Sequence, residues 1–382
     1  MKKKIAIMSL CFTALMYLVL TVSVAGLLAA FPDVPESRVM LILTLPNLTG
    51  IVGILITPCL TPYLSQKSLS ILSLLLLLLG GGICLLLHDV LYALLFASAI
   101  MGISYGMVST LYPMLVNSNF SGNERVTVMG LCAAMLQGGR LVTYLIGGVL
   151  AKRHWYAVYD TYVFAILALL LVAVLLPEDR RSAQSSRQSA RDTASFTSGR
   201  VWLLSFLAAM FACLYFVIST DGSLYVESYG LGTASTTGVL SSLSCAVAGV
   251  FAALYGRISR ITGRFNFAIA FVILGIGYTF AGCRVSTLSI TVAFVASALG
   301  IALYTPWLMT AISDAANSAD APVATAIVLT CLNIGYFASP YFTAPVGRCF
   351  GNGPAFSFLA AGITSLLFAA LTAFLCRKKP LV

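Results

Sequence analysis

Twelve apolar runs, each long enough to cross a bilayer, divide the chain at about 5–31, 39–60, 69–87, 91–113, 126–150, 158–176, 201–226, 234–256, 266–283, 288–310, 323–346 and 354–375. Crossing the hydrocarbon core takes about 20 mostly apolar residues in a helix. The pattern therefore predicts an all-α integral membrane fold of twelve transmembrane helices. With roughly 30 residues per span and connection, a chain of 382 residues has no room for a soluble domain. Only 9% of its residues are charged and 60% are hydrophobic, against about a quarter charged in soluble domains. That excludes a soluble enzyme and a disordered protein. The first run follows Lys2, Lys3 and Lys4, as the core of a signal peptide would. It exceeds the usual 7–15 residues of such a core, so it reads as a retained helix.

The net charge of +10 could suggest a nucleic-acid partner, but its distribution is a topology signal. With the N-terminus inside, sixteen basic residues fall in inner segments, among them Lys2, Lys3, Lys4, Arg125, Arg257, Arg260 and Arg264. Five fall in outer segments (Arg38, Lys152, Arg153, Arg284 and Arg348) and one, Arg140, inside a span. By the positive-inside rule both termini are cytoplasmic, and no nucleic-acid role is expected. The Ser-, Arg- and Gln-rich stretch 177–200 lacks hydrophobic periodicity and reads as a cytoplasmic linker. It separates an N-terminal six-helix bundle (1–176) from a C-terminal one (201–382).

The two bundles echo each other. Tyr17 pairs with Tyr215 and Gly102-Ile103 with Gly300-Ile301 at an offset of 198, while Gln137 pairs with Asn333 and Gly139 with Gly335 at 196. Parallel six-helix repeats with a substrate site near the midplane are a transporter design. Gly256-Arg-Ile-Ser-Arg260-Ile-Thr-Gly263-Arg264, read as a loop after helix 8, resembles the signature loop of the major facilitator superfamily, roughly Gly-x-x-x-Asp-Arg-x-Gly-Arg. Gly130, Gly139, Gly147 and Gly148 resemble its glycine-rich helix 5, and Glu124-Arg125 before that helix is also typical. The resemblance covers essentially the whole chain. It implies a 6+6 fold, secondary transport, and a central cavity lined by helices 1, 4, 7 and 10. There are departures. Arg260 and Ile261 stand where the signature has Asp and Arg, the loop after helix 2 (Leu64-Ser65-Gln66-Lys67) lacks its glycines, and Thr143-Tyr144 replace the Gly-Pro of many drug antiporters.

Arg140 lies near mid-span in helix 5, where a charge costs about 2.5–3.5 kcal/mol on insertion scales. Gln137, Arg140 and Tyr144 share one helix face, and Gly139, Thr143 and Gly147 share another suited to close packing. Arg140 pairs either with an anionic or strongly hydrogen-bonding group on the substrate, which its planar fork suits, or, in a structural role, with helix carbonyls or a buried partner. Asp221, in outer helix 7, is the coupling candidate; it could bind a cation, accept a proton or cap a break at Gly222-Ser223. Tyr17, Tyr105, Tyr215 and Tyr304 are candidate cavity residues on helices 1, 4, 7 and 10, and Asn47, Gln137 and Asn333 are amides that are costly in hydrocarbon. Arg257, Arg260 and Arg264 form a candidate inner gate with Glu178, Asp179 or Asp314.

No Walker loop, HExxH motif or midplane carboxylate pair is present, so transport would draw on a gradient or exchange. The ten cysteines carry no CxxC pair; a Cys283–Cys349 disulfide is possible and metal binding is not expected. Neither is a cofactor. The expectation is a monomeric secondary transporter, surrounded by membrane lipid in a bacterial cytoplasmic membrane, that moves a small polar or anionic organic solute. Efflux of hydrophobic or cationic drugs and a transporter-like sensor are the alternatives.

Overall fold

The computed structural model describes residues 2–177, 199–315, 321–350 and 353–378. Among them the regular structure is wholly helical, and twelve helices are long and apolar enough to span a membrane. They are helix 1 (Lys2–Ala30), helix 2 (Leu41–Leu60), helix 3 (Gln66–Leu86), helix 4 (Leu91–Asn119), helix 5 (Gly122–Leu150) and helix 6 (Trp155–Leu175). The second six are helix 7 (Gly199–Ser228), helix 8 (Ala234–Thr262), helix 9 (Asn266–Cys283), helix 10 (Thr287–Ala315), helix 11 (Ala321–Phe350) and helix 12 (Pro354–Lys378). Helices satisfy their own backbone groups, as lipid demands.

Several helices outrun their apolar segments, because polar side chains at the ends bond back to the helix rather than stopping it. Helix 4 continues to Asn119, whose Nδ2 donates to the Leu115 carbonyl (2.9 Å). Glu124 and Arg125 stand inside the first turn of helix 5, not before it. The signature segment is not a loop. Helix 8 runs through it to Thr262, whose hydroxyl donates to the Ile258 carbonyl (2.9 Å), and stops at Gly263, which takes φ of +51°. A left-handed residue there is an ordinary glycine use.

The chain forms two compact units, Met1–Val34 with Leu41–Thr193, and Pro35–Met40 with Ala194–Val382. In the first, helices 2 and 4 cross on glycine. A methyl on Gly53 would meet the Ile103 carbonyl, one on Gly106 the Gly50 carbonyl, and one on Gly102 the backbone of Pro46. The start of helix 1 is tied to the helix 4–5 corner by Lys4–Glu124 (2.8 Å) and by Lys3 Nζ donating to Asn119 Oδ1 (2.7 Å). In the second unit, Phe211, Phe267, Phe271, Tyr278 and Phe358 fill the core. Helices 9 and 12 meet there at Gly275 and Gly362.

The repeat reappears as packing. A Cβ on Gly139 would strike the carbonyl of Phe12 in helix 1, and a Cβ on Gly335 that of Ala209 in helix 7. The glycines are 196 residues apart and their carbonyl partners 197. Each half thus presses its fifth helix onto its first through one glycine. Helices 1 and 7 nevertheless differ: helix 7 is α-helical from end to end, whereas helix 1 changes to a 3-10 winding over Met16–Ser23.

Candidate functional site

Five of the residues singled out in the sequence come together inside the first unit. Tyr17 of helix 1 donates its hydroxyl to Asn47 Oδ1 of helix 2 (2.9 Å). The Asn47 amide nitrogen lies 3.4 Å from the Thr44 carbonyl, and the residue is fully buried. The rings of Tyr17 and Tyr105 meet with centroids 5.0 Å apart, tilted by 46°. Arg140 is within electrostatic range of the Tyr105 phenol. Arg140 Nη2 also donates to the buried Tyr144 hydroxyl at 3.2 Å, with the guanidinium 5.5 Å from that ring's centroid. The guanidinium thus meets Tyr144 on its own helix and the Tyr105 phenol of helix 4, and Tyr105 leads through Tyr17 of helix 1 to Asn47 of helix 2.

The glycine crossing sets this geometry. A Cβ on Gly50 would lie 2.9 Å from Tyr105 Cδ1, so only a bare backbone lets that ring lie flat against helix 2. Gly50 is a site residue the sequence reading missed. The Gly50/Gly53 and Gly102/Gly106 spacings carried the signal, since small residues three or four apart mark close helix crossings. Gln137 is half-buried one turn before Arg140.

The candidates of the second unit form a different environment. Tyr304 is buried and stacks on Phe211 (centroids 4.1 Å, 17°), which also faces Tyr215 (6.3 Å, 9°). Trp307, one turn on, stacks on Phe267 at 4.5 Å. The Tyr304 hydroxyl and the Asn333 amide oxygen are buried with no hydrogen-bond partner among the described residues. Asn333 donates to the Leu329 carbonyl (2.9 Å). Tyr215 and Tyr17 match in sequence but not in setting: Tyr17 holds an amide through its hydroxyl, while Tyr215 lies among aromatic rings.

Asp221 does not cap a break. Helix 7 continues unbroken past Gly222 and Ser223 to Ser228, because the carboxylate bonds to side chains and leaves the backbone ladder alone. Thr220 donates its hydroxyl to Asp221 Oδ2 (2.6 Å), Ser357 of helix 12 hydrogen-bonds the same group, and Glu36 is within electrostatic range. Asp221 is 6% exposed, and among the described residues no Lys, Arg or His lies at ion-pair distance.

Of the gate candidates, Arg257 is exposed near the end of helix 8. Glu178 and Asp179 lie outside the described residues, as do the side chains of Arg260, Arg264 and Asp314. Cys283 is an exposed free thiol, and the side chain of Cys349 is outside the described set. His88 stacks on Tyr156 (3.8 Å, 20°), as does His154 (5.2 Å, 4°), at the ends of helices 3 and 6.

A family model described as Major Facilitator Superfamily matches residues 5–340. No curated protein matches the sequence at a significant level. Solved structures resemble the whole fold. The inward-open xylose transporter of E. coli aligns with a TM-score of 0.76 at 14% identity, covering 97% of this chain and 95% of its own. A POT family transporter in complex with a thioalcohol-conjugated peptide gives 0.75 at 11%, covering 97% and 96%. A D-xylose-proton symporter gives 0.70 at 17%, again with 97% and 96%.

Proposed function

Because the chain belongs to the major facilitator superfamily, and so is a multi-pass membrane transporter and not an enzyme, we propose that it carries a small organic anion anchored on Arg140. The observation that supports this reading is the polar network that ends on that guanidinium. Tyr144 and Tyr105 flank it, and Tyr105 leads through Tyr17 to Asn47, so hydroxyl, aromatic and amide groups from four helices form one network. Such a network suits a carboxylate, which the guanidinium engages by charge-assisted hydrogen bonds while the neutral groups hold the rest of the solute. The transporter cycles by alternating access. It works as a monomer, since one chain carries both repeats. The excess of basic residues in alternate segments supports an orientation with both termini inside, and the short connecting loops fit a bacterial cytoplasmic membrane.

The test is flux into proteoliposomes with a panel of carboxylates, phosphates, sugars and lipophilic cations. Saturable uptake of a carboxylate that competes with other carboxylates and not with the cations is the expected result. Uptake of the lipophilic cations alone would replace this reading with drug efflux. Ligand-dependent stabilisation without any net flux would replace it with a sensor.

Asp221 is the proposed coupling group. An ionised carboxylate buried without a cation is costly, and binding a proton removes that cost. One of the structurally similar proteins is a proton symporter, which fits this arrangement. An Asp221→Asn variant is expected to lose accumulation driven by an acid-outside gradient at least tenfold, while solute exchange at equal pH stays within twofold of wild type. Gradient-driven accumulation at the wild-type level would eliminate Asp221 as the coupling group.

A further inference from the structure

Helix 1 is built from three pieces: an α-helix over Lys2–Thr13, a 3-10 winding over Met16–Ser23, and an α-helix over Val24–Ala30. Two joints bound the middle piece, Leu15 (φ −108°, ψ 17°) and Ser23 (φ −125°, ψ 29°), both outside helical dihedrals. Runs of 3-10 helix beyond three or four residues are uncommon, because their hydrogen bonds are poorly aligned and side chains three apart eclipse one another. This one has eight. Its sequence, Met-Tyr-Leu-Val-Leu-Thr-Val-Ser, contains no Gly or Pro to impose the winding. The matching stretch of helix 7, which holds Tyr215, stays α-helical. Something in the surrounding packing therefore selects the tighter winding.

That packing is on helix 5. Val19 and Val22 are three residues apart, so they eclipse in a 3-10 helix, and both face Gly147. A Cβ at that glycine would lie 2.6 Å from Val19 Cγ2, 3.8 Å from Val22 Cγ2 and 3.9 Å from Val158 Cβ. Val158 belongs to a second eight-residue 3-10 winding, Trp155–Tyr162, at the start of helix 6. In an α-helix the second valine would swing about 60° away from the first, and the glycine would no longer seat both. The upper end is held as well, with Gly26 packed against Trp155 and Phe31 edge-on to the Trp155 ring at 6.4 Å.

We propose that Met16–Ser23 is a two-state winding element keyed by Gly147, and that this glycine is a positioning residue for Tyr17. Converting the eight residues to α-helix shortens helix 1 by about 4 Å and rotates its two ends by about 160° relative to each other. Tyr17 is the second residue of the element, and its hydroxyl reaches Asn47 from the 3-10 form. Rewinding carries it off that amide. The inference rests on the superfamily assignment only for its use in transport; the winding itself can be measured without a solute.

The experiment is fluorine NMR of purified protein carrying 3-fluorotyrosine, with the Tyr17 resonance assigned by Tyr17→Phe. Hydrogen exchange on peptides covering Met16–Ser23 accompanies it. Gly147→Ala is expected to move the Tyr17 resonance toward its position in Asn47→Leu, where the acceptor is gone, and to change exchange across Met16–Ser23 at least tenfold. Val19→Ala added to Gly147→Ala returns both readouts to wild type, because it clears the space the new methyl needs. Gly130→Ala, whose Cβ meets nothing within 4 Å on the same helix, leaves both unchanged. Should Gly147→Ala fail to fold, Val22→Leu crowds the same glycine from the helix 1 side and carries the same expectation. A Tyr17 resonance that stays at its wild-type position in the folded variant overturns the proposal. So does a shift that Val19→Ala does not reverse, or one that Gly130→Ala reproduces.

Discussion

Replacing Arg140 by Gln is expected to abolish stabilisation of the purified protein by its carboxylate solute and to cut uptake of that solute by about 100-fold. Two charge-assisted hydrogen bonds from a guanidinium are worth about 3 kcal/mol together, and about 1.4 kcal/mol is a factor of ten in affinity. The loss should appear mainly in apparent affinity. Gln137, Tyr144, Tyr105, Tyr17 and Asn47 keep their places on helices that Arg140 does not hold together; those helices cross on glycines. Arg140→Lys tests the geometry separately. It keeps the charge but not the fork, so most of the affinity should still be lost. A thermal-shift titration with uptake in parallel separates the two possible roles of this residue. If Arg140→Gln unfolds at lower temperature with solute response intact, the guanidinium is a structural brace and the anchor lies elsewhere.

Gly139→Ala and Gly335→Ala are expected to destabilise the protein strongly and by similar amounts. In each case the new methyl meets a backbone carbonyl, Phe12 in helix 1 or Ala209 in helix 7. A flexible side chain could turn away; a helical carbonyl cannot move without its helix. Overpacking costs about 1–3 kcal/mol where neighbours can adjust, and these sites should reach the top of that range. For a unit of this size that corresponds to a fall in melting temperature of roughly 5–10 °C. Gly130→Ala and Gly249→Ala serve as controls, since neither Cβ would touch anything within 4 Å. Detergent thermal denaturation of the four variants decides the point. Equal melting temperatures across the set would mean that the helix 1–5 and helix 7–11 contacts are loose enough to admit a methyl.

Helix count was legible because hydrocarbon admits one simple solution, and a run of twenty apolar residues declares it. Helix ends were less so. Asn119 and Thr262 look like punctuation in the sequence, yet each bonds back to its own helix and extends it. The polar face of helix 5 could be drawn from spacing, since Arg140 and Tyr144 are one turn apart on any α-helix. That Tyr105 would meet Tyr17, and Tyr17 Asn47, across helices 4, 1 and 2 could not, because contacts between helices depend on which glycines interlock. Asp221 shows the same limit in reverse: Gly222-Ser223 suggested a break, and the carboxylate's bonds to Thr220 and Ser357 removed the need for one.

The amino-acid order alone dictates that this chain lives in a membrane, how many times it crosses, and that its halves are repeats. Those properties follow from local hydrophobicity and from spacings along one strand of sequence. Which side chains link to Arg140, and why helix 1 winds differently from its counterpart helix 7, were settled by packing. Both depend on how closely two backbones approach at Gly50, Gly139 and Gly147, and a sequence names such glycines without saying what lies opposite them.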